Sequence, residues 1–354
     1  MKRLLLSILA MPVFAADLTQ QPGYVRGEFI YETAPFSSCH ATTIVETKGG
    51  LLAAWFGGTA EGQPDVAIWT SRYNGGQWSA PSEVVNGTQP DGTRHPCWNP
   101  VLFQPKSGPI LLFYKVGPSP QLWWGELKTS TDEGRTWSPA RRLPDGILGP
   151  IKNKPVQLAS GDLLCPTSNE TPEKPSKWTA HFERSSDGGQ TWTATKPLND
   201  GLSISAIQPS ILFLGGEKLL ALGRTRQQRI FEVTSDDAGK TWSEMKLGTL
   251  PNPNSGTDAV TLKDGRHLLV YNHTPKGRSP LNVALSNHGT DWQAALVLEN
   301  EPGEYSYPAI IQTADDLVHI TYTWKRQKVR HVVVDPARLV SAPIVEGAWP
   351  AAGN

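Results

Sequence analysis

The sequence predicts an all-β fold, a six-bladed β-propeller with four-stranded antiparallel blades, and three observations predict it. The composition is rich in turn formers and aromatics, a tryptophan-containing box recurs at near-constant spacing, and an apolar hairpin recurs six times. Of 354 residues, 33 are Gly, 30 Pro and 13 Trp, a mixture that serves many short strands better than long helices. With 38% hydrophobic residues the chain has the material for a large core. A closed all-β ring can run past ~300 residues as one unit.

The box reads Ser-x-Asp-x-Gly-x-Thr-Trp. It is complete at Ser130–Trp137, Ser185–Trp192 and Ser235–Trp242, worn at Ser71–Trp78 and shortened at Ser286–Trp292. The five tryptophans are 59, 55, 50 and 50 residues apart, a spacing that suits propeller blades. Asp accepts bonds from turn N–H groups, Gly supplies a positive φ and Trp buries a large ring. One carboxylate per turn is too few for a calcium cage, so the boxes read as folding devices.

Upstream of each box lies an apolar strand, a Gly/Asp turn and a second apolar strand. The copies begin near Ala41, Pro100, Pro155, Pro209, Asp258 and Pro308. Six hairpins imply six blades, with these strands innermost and the boxes at the outer turns. No box follows the sixth hairpin, so the N-terminal segment around Gly27–Glu32 is expected to complete the last blade and remove its exposed edge.

Lys2 and Arg3 precede an apolar stretch from Leu4 to Phe14 and then Ala15 and Ala16. This pattern predicts a signal peptide over 1–16, a single propeller domain over 17–354, and an exported, periplasmic protein. No later run reaches the ~20 apolar residues of a membrane span. Lys plus Arg and Asp plus Glu number 33 each, so no overall field draws the molecule to nucleic acid or an anionic membrane. Neither clustered basic residues nor a phosphate-binding GxxxxGK[ST] loop is present. Three widely spaced cysteines exclude a disulfide scaffold; the one pair the layout suggests is Cys39 with Cys97, at the starts of neighbouring blades.

Propeller geometry places the functional residues. The start of each inner strand and the end of each second strand emerge on one face, around the central channel. The strand starts carry His40, Asn99, Lys154, Gln208, Thr257 and Tyr307, with Asp258 adjacent. The second-strand ends carry Glu61 and Asp65, Lys115, Glu170, Arg224, and Asn272 with His273. Polar residues thus concentrate where the strands converge. Arg224 ends an apolar strand, where a cation needs an acid or an anionic ligand. Glu61 suits a general acid or base and Tyr307 a nucleophile or base, with His40 and His273 as further candidates. Lys154, Gln208, Asn99, Asp65, Asp258, Tyr305 and Trp98 are candidate binding residues. Carboxylates, imidazoles, one guanidinium and rim tryptophans suit a glycan or oligosaccharide. No cofactor or metal is expected; a metal-dependent variant requires His40, His95, His273 and Asp258 to gather.

With its full boxes STDEGRTW, SSDGGQTW and SDDAGKTW, the chain over about residues 30–335 resembles the sialidase superfamily of Asp-box or BNR-repeat proteins. The resemblance implies three arginines that clamp a substrate carboxylate, an acidic acid/base, and a tyrosine assisted by a glutamate. Carried onto this chain, the first arginine falls at Cys39 or His40, the acid/base at Glu61 and the assisting glutamate at Gln208. The second arginine is matched by Arg224. The third falls near Asn272 and His273, with Arg278 a few residues later, and the tyrosine is Tyr307, or Tyr305 if the YSYP segment shifts. Glutamine cannot take a phenol's proton, so Gln208 departs from the family chemistry. The expected activity is exo-acting hydrolysis of a terminal acidic sugar, of sialic or uronic type. The alternatives are a polysaccharide lyase acting on uronic-acid glycans and a non-catalytic glycan-binding propeller.

Overall fold

The structure is a computed structural model that describes residues 17–350; the expected signal over 1–16 lies outside the described residues. Six antiparallel sheets follow one another along the chain. Their innermost strands are Ser38–Thr47, Cys97–Phe103, Val156–Gln157, Ala206–Gly215, Asp258–Thr261 and Tyr305–Gln312, defining blades 1 to 6. Four sheets have four strands. Blade 1 gains a fifth from Ser82–Val85 beside Ala67–Asn74, and blade 5 from Ala342–Pro343 beside Gln293–Glu299. Tyr24–Phe29 pairs with Lys328–Val334 and closes blade 6 with the N-terminal segment, as expected, a few residues earlier than read from sequence.

The core lies between adjacent blades, and the boxes staple it. Trp242 of blade 4 stacks on Phe182 of blade 3, with centroids 4.1 Å apart. Trp192 of blade 3 meets Phe113 of blade 2 edge-on at 6.0 Å. Trp292 of blade 5 packs with Leu212 and Leu220 of blade 4, and Trp78 of blade 1 meets His331 of blade 6 at 5.2 Å. Each box tryptophan therefore docks on the preceding blade and carries the ring around to closure.

At the mouth the inner strands share a deformation. Register shifts fall between His40 and Thr43, Trp98 and Val101, Ile207 and Ser210, and Ser306 and Ala309. Inside them Ala41, Asn99, Gln208 and Tyr307 have φ of +57°, +39°, +58° and +50°, a β-bulge with left-handed backbone costing roughly 1–3 kcal/mol each. Lys152, just before the inner strand of blade 3, has φ of +70°. Bulging frees carbonyls from the ladder, and buried carbonyls need partners. Other blades supply them: from the adjacent blade, Asn153 Nδ2 donates to the Gln208 and Pro209 carbonyls at 2.9 and 3.0 Å and Thr42 Oγ1 to that of Tyr307 at 3.1 Å, and from across the ring Lys152 Nζ donates to that of Pro308.

The cysteines are free thiols, correcting the expected Cys39–Cys97 pair. Cys39 packs with Trp55 and Val329 and takes a bond from the Tyr31 hydroxyl at 3.1 Å, whereas Cys97 packs with Leu112 and Ile68. Their strands are neighbours, but the side chains enter different core layers.

Candidate active site

Tyr307 is the centre on which the blades converge. Arg224 of blade 4 donates from Nη2 to its phenol oxygen at 2.9 Å. The His40 ring of blade 1 lies 4.1 Å from the Tyr307 ring, and the Arg278 guanidinium of blade 5 lies 5.9 Å from it. Lys152 Nζ is 6.0 Å from the same ring. A Cβ on Gly256 would stand 3.1 Å from the Tyr307 ring and 3.3 Å from Lys152 Cε, so the bare glycine lets the ring seat.

Arg224 is 6% exposed. Its Nη1 donates to the Asn254 carbonyl at 3.0 Å, and its guanidinium lies 5.2 Å from the Trp178 ring, which Arg226 also covers at 4.0 Å. Glu170 belongs to the same wall; burial pushes its carboxyl up, against the pull of Arg224. Burial holds the His40 imidazole well below its ordinary range, and Arg326, Arg278, Arg224 and Lys152 push it the same way. His40 is therefore neutral at pH 7. Lys152 closes the floor, donating to Asn153 Oδ1 at 2.7 Å and the Thr257 carbonyl at 2.6 Å. Burial pushes its ammonium down to about 7.

A chain of alternating charge runs along the opposite rim. Glu61 pairs with Arg326 Nη1, Arg326 Nε with Glu304 at 2.8 Å, and Glu304 with Arg278 Nη1 at 2.6 Å. Burial works against the Glu304 anion, but Arg278 and Arg326 hold its carboxyl below the usual range. Trp98 backs the Glu61 loop, its ring 3.4 Å from where a Cβ on Gly62 would stand, with Nε1 donating to the Gly117 carbonyl at 2.8 Å. Asn99 and Gln208 occupy the bulge position that Tyr307 occupies in blade 6.

Several expected site residues are engaged elsewhere. Asp65 caps its own loop, accepting from Thr59 N and Oγ1 at 2.8 and 2.9 Å. Lys154 pairs with Asp258 at 2.9 Å, and Asp258 also accepts from Ser210 Oγ and Ile310 N. The pair ties blades 3 to 6 together; Lys152, two residues earlier, is the lysine beside Tyr307. His273 is committed at both nitrogens, to the Tyr271 hydroxyl at 2.5 Å and the Gly347 carbonyl at 2.8 Å, with Trp349 against its ring. It holds the C-terminal segment. Tyr305 lies fully buried in the core between blades 5 and 6, because the bulge begins after it. His95 packs on Trp124, and among the described residues no group of three or more His, Cys, Asp or Glu is placed to hold a metal ion.

Arg326, Glu304, Lys152 and Trp178 were not identified from sequence. Arg326 follows the end of the sixth second strand, Val318–Trp324, and extending the strand-end criterion to that hairpin finds it. A groove of about 640 Å³ between blades 1 and 2 carries Glu126 and Lys128. The Glu126 carboxylate is already taken by the Tyr114 hydroxyl and Trp124 Nε1, at 2.6 and 2.9 Å, and the Lys128 ammonium by the Val84 carbonyl. The convergent chemistry is at the central mouth.

A closed ring of six sheets, stapled outside by repeated boxes and carrying unlike polar residues inside, defines a propeller with a central candidate active site. The family model described as the BNR repeat-like domain matches residues 49–320, and the chain belongs to this family. A sialidase of Bacteroides fragilis (strain YCH46) is 23% identical over 244 residues, covering 60% of this chain and 41% of that protein. An anhydrosialidase of Macrobdella decora is 22% identical over 263 residues, covering 64% and 33%. The chain thus spans less than half the length of these curated relatives. Among solved structures, a protein of unknown function from Dyadobacter fermentans superposes with a TM-score of 0.74 at 20% identity, covering 89% of this chain and 99% of that one. The intramolecular trans-sialidase of Ruminococcus gnavus superposes with a TM-score of 0.74 at 14% identity, covering 90% and 99%. These superpositions establish the shared fold.

Proposed function

We propose that the mouth binds the terminal acidic sugar of a glycan and hydrolyses its glycosidic bond. The observation that carries this reading is the Arg224–Tyr307 contact, flanked by Arg278: cations beside a phenol on a floor closed by Lys152. A closed floor admits a chain end, which makes the action exo. Arg224 and Arg278 bind the sugar carboxylate, Tyr307 engages the anomeric carbon, and Glu61 protonates the departing oxygen. The sialidase names of the relatives support an acidic sugar, of sialic or uronic type.

One observation favours a second reading. The group on the phenol oxygen is a guanidinium, while Gln208 stands where the family resemblance puts a carboxylate, and His40 beside the ring is neutral. A neutral base next to cations that neutralise a uronate carboxylate suits elimination. The two reactions separate on a panel of sialosides, uronic-acid oligosaccharides and neutral glycans, followed by released reducing sugar and by ultraviolet absorbance of unsaturated product. The hydrolase reading predicts reducing sugar from an acidic glycan without absorbance growth. Absorbance growth overturns it in favour of elimination, and cleavage of neutral glycans alone overturns the assignment of Arg224.

A further inference from the structure

The second strand of blade 6, Val318–Trp324, alternates two kinds of residue. Ile320 and Tyr322 enter the core between blades 5 and 6. Successive side chains of a strand point to opposite faces, so Thr321 and Thr323 share the other face, against the inner strand of blade 1. Both threonines are fully buried, and a valine would fill the same space without taking a hydroxyl out of water. Both hydroxyls serve the mouth. Thr321 Oγ1 donates to Thr42 Oγ1 at 3.1 Å, and Thr42 Oγ1 to the Tyr307 carbonyl at 3.1 Å, which braces the bulge. Thr323 Oγ1 lies 3.1 Å from His40 Nδ1.

A neutral imidazole carries one proton, and the bond made by one nitrogen sets which of the two holds it. Two arrangements fit the contact between Thr323 and His40. If Nδ1–H donates to Oγ1, the buried hydroxyl proton of Thr323 is left without an acceptor, because Oγ1 makes no other hydrogen bond among the described residues. An unsatisfied buried donor costs about 1–3 kcal/mol. If Oγ1–H donates to Nδ1, both groups are satisfied and the ring proton sits on Nε2.

The charges around the ring pull the other way. Arg326, Arg278, Arg224 and Lys152 all act on His40, and cations favour a lone pair at Nε2. Two of the four are already balanced, however, since Glu304 pairs with Arg278 and Arg326, and Glu61 with Arg326. Lys152 is bonded to three oxygens of the floor. The hydroxyl therefore decides. Nε2 makes no hydrogen bond among the described residues and is not one of their sealed, unpartnered atoms, so it is the edge of the ring that reaches the mouth.

We propose that Thr323 is a positioning residue whose hydroxyl fixes His40 with its proton on Nε2, so that the ring presents the mouth with an N–H donor and no base. The consequence rests on the acidic-sugar reading above and deepens it. An oxygen of the bound sugar can accept from Nε2–H, whereas elimination requires a proton acceptor, which His40 in this tautomer does not supply. Hydrolysis, with Glu61 as the proton donor, is the reaction that fits.

The test is a proton–nitrogen correlation spectrum of the full chain carrying isotope-labelled histidine, with His40→Gln identifying the His40 signals. The wild type is expected to show the proton on Nε2 and a hydrogen-bonded acceptor at Nδ1. A proton on Nδ1 overturns the proposal and leaves the acidic-sugar reading standing, with His40 available as the base for elimination. Without the hydroxyl the cations draw the lone pair to Nε2. Thr323→Val is therefore expected to move the proton toward Nδ1 and to lower kcat/KM on the acidic glycan of the panel about tenfold. Thr323→Ser, which keeps the hydroxyl, should restore the wild-type signals and bring kcat/KM to within about twofold. Wild-type nitrogen signals in Thr323→Val overturn the role of Thr323. If His40 carries its proton on Nε2 but no acidic glycan is cleaved, the tautomer stands and the acidic-sugar reading falls. The wild-type spectrum decides the tautomer even where Thr323→Val does not fold.

Discussion

At the outer turns of blades 2, 3 and 4 one set of hydrogen bonds is reproduced almost atom for atom, while at the inner mouth one backbone deformation is reproduced with a different side chain each time. In the boxes, Ser Oγ donates to Asp Oδ1 at 2.8, 2.9 and 2.8 Å for Asp132, Asp187 and Asp237. Thr Oγ1 donates to the same carboxylates at 2.6 Å in all three. Those bonds hold the exposed carboxyls of Asp132 and Asp187 down at about 2, that of Asp237 lower still. At the mouth the bulge presents Ala41, Asn99, Gln208 and Tyr307 in turn. Identical chemistry at the outer turns does one job, stapling each blade to the one before. Unlike residues on a shared bulge do several, and that asymmetry locates the candidate chemistry.

The comparison breaks most sharply at Arg224. Replacing it with Gln removes the guanidinium from the phenol and, on the proposed function, from the sugar carboxylate, so kcat/KM on the acidic glycan identified by the panel is expected to fall about 10³-fold. Circular dichroism should stay native. Steady-state kinetics showing a loss within a fewfold would remove Arg224 from the site. Trp242→Ala acts on the other side of the comparison. Losing its stack on Phe182 should lower stability by about 3 kcal/mol, read by urea denaturation, while turnover per folded molecule is unchanged. A turnover change would mean that the boxes reach the mouth.

Ring closure supplies a smaller effect. His319 Nδ1 and His331 Nε2 lie 2.9 Å apart beneath the N-terminal strand, and His331 Nδ1 is 3.1 Å from Glu28. Burial, then the charge of His331, lowers His319 to about 4, and burial also lowers His331. A histidine depressed in the folded state contributes its stability fully above the unfolded value near 6.5 and loses it as pH falls toward 4. Stability is expected to drop by about 2 kcal/mol between pH 7.5 and 5, and His319→Gln should flatten that slope. An unchanged slope in the variant would detach the effect from this pair. Smallest is Arg326→Gln, which frees Glu61 from its ion partner at a partly exposed rim. About a tenfold loss in kcat/KM, with native melting temperature, is expected; no loss would make the rim chain structural.

What the sequence disclosed follows the same division. The boxes were legible because turn chemistry is local: Ser, Asp, Gly and Thr act within eight positions, and the spacing of Trp137, Trp192 and Trp242 counts the blades. The strand starts were legible too, and His40, Asn99, Gln208 and Tyr307 lie where hairpin geometry puts them. Side-chain direction beside a bulge was not, since one extra residue reverses which neighbour faces the channel. Lys152 rather than Lys154 meets Tyr307 for a different reason: both precede the short inner strand of blade 3, where the left-handed backbone at Lys152 sets the direction of the chain and Lys154 is taken by Asp258. His273 was misread because its partners, Gly347 and Trp349, arrive from a distant segment. Arg326 was hidden by a turn with no following box.

The most direct measurement is the rate of cleavage of the acidic glycan that the panel identifies, by the wild-type protein, Trp242→Ala and Tyr307→Phe, each normalised to its folded fraction. Wild type and Trp242→Ala are predicted to turn over equally, with Tyr307→Phe about 10³-fold slower. Tyr307→Phe within a fewfold of wild type would contradict the placement of the chemistry at the Tyr307 bulge.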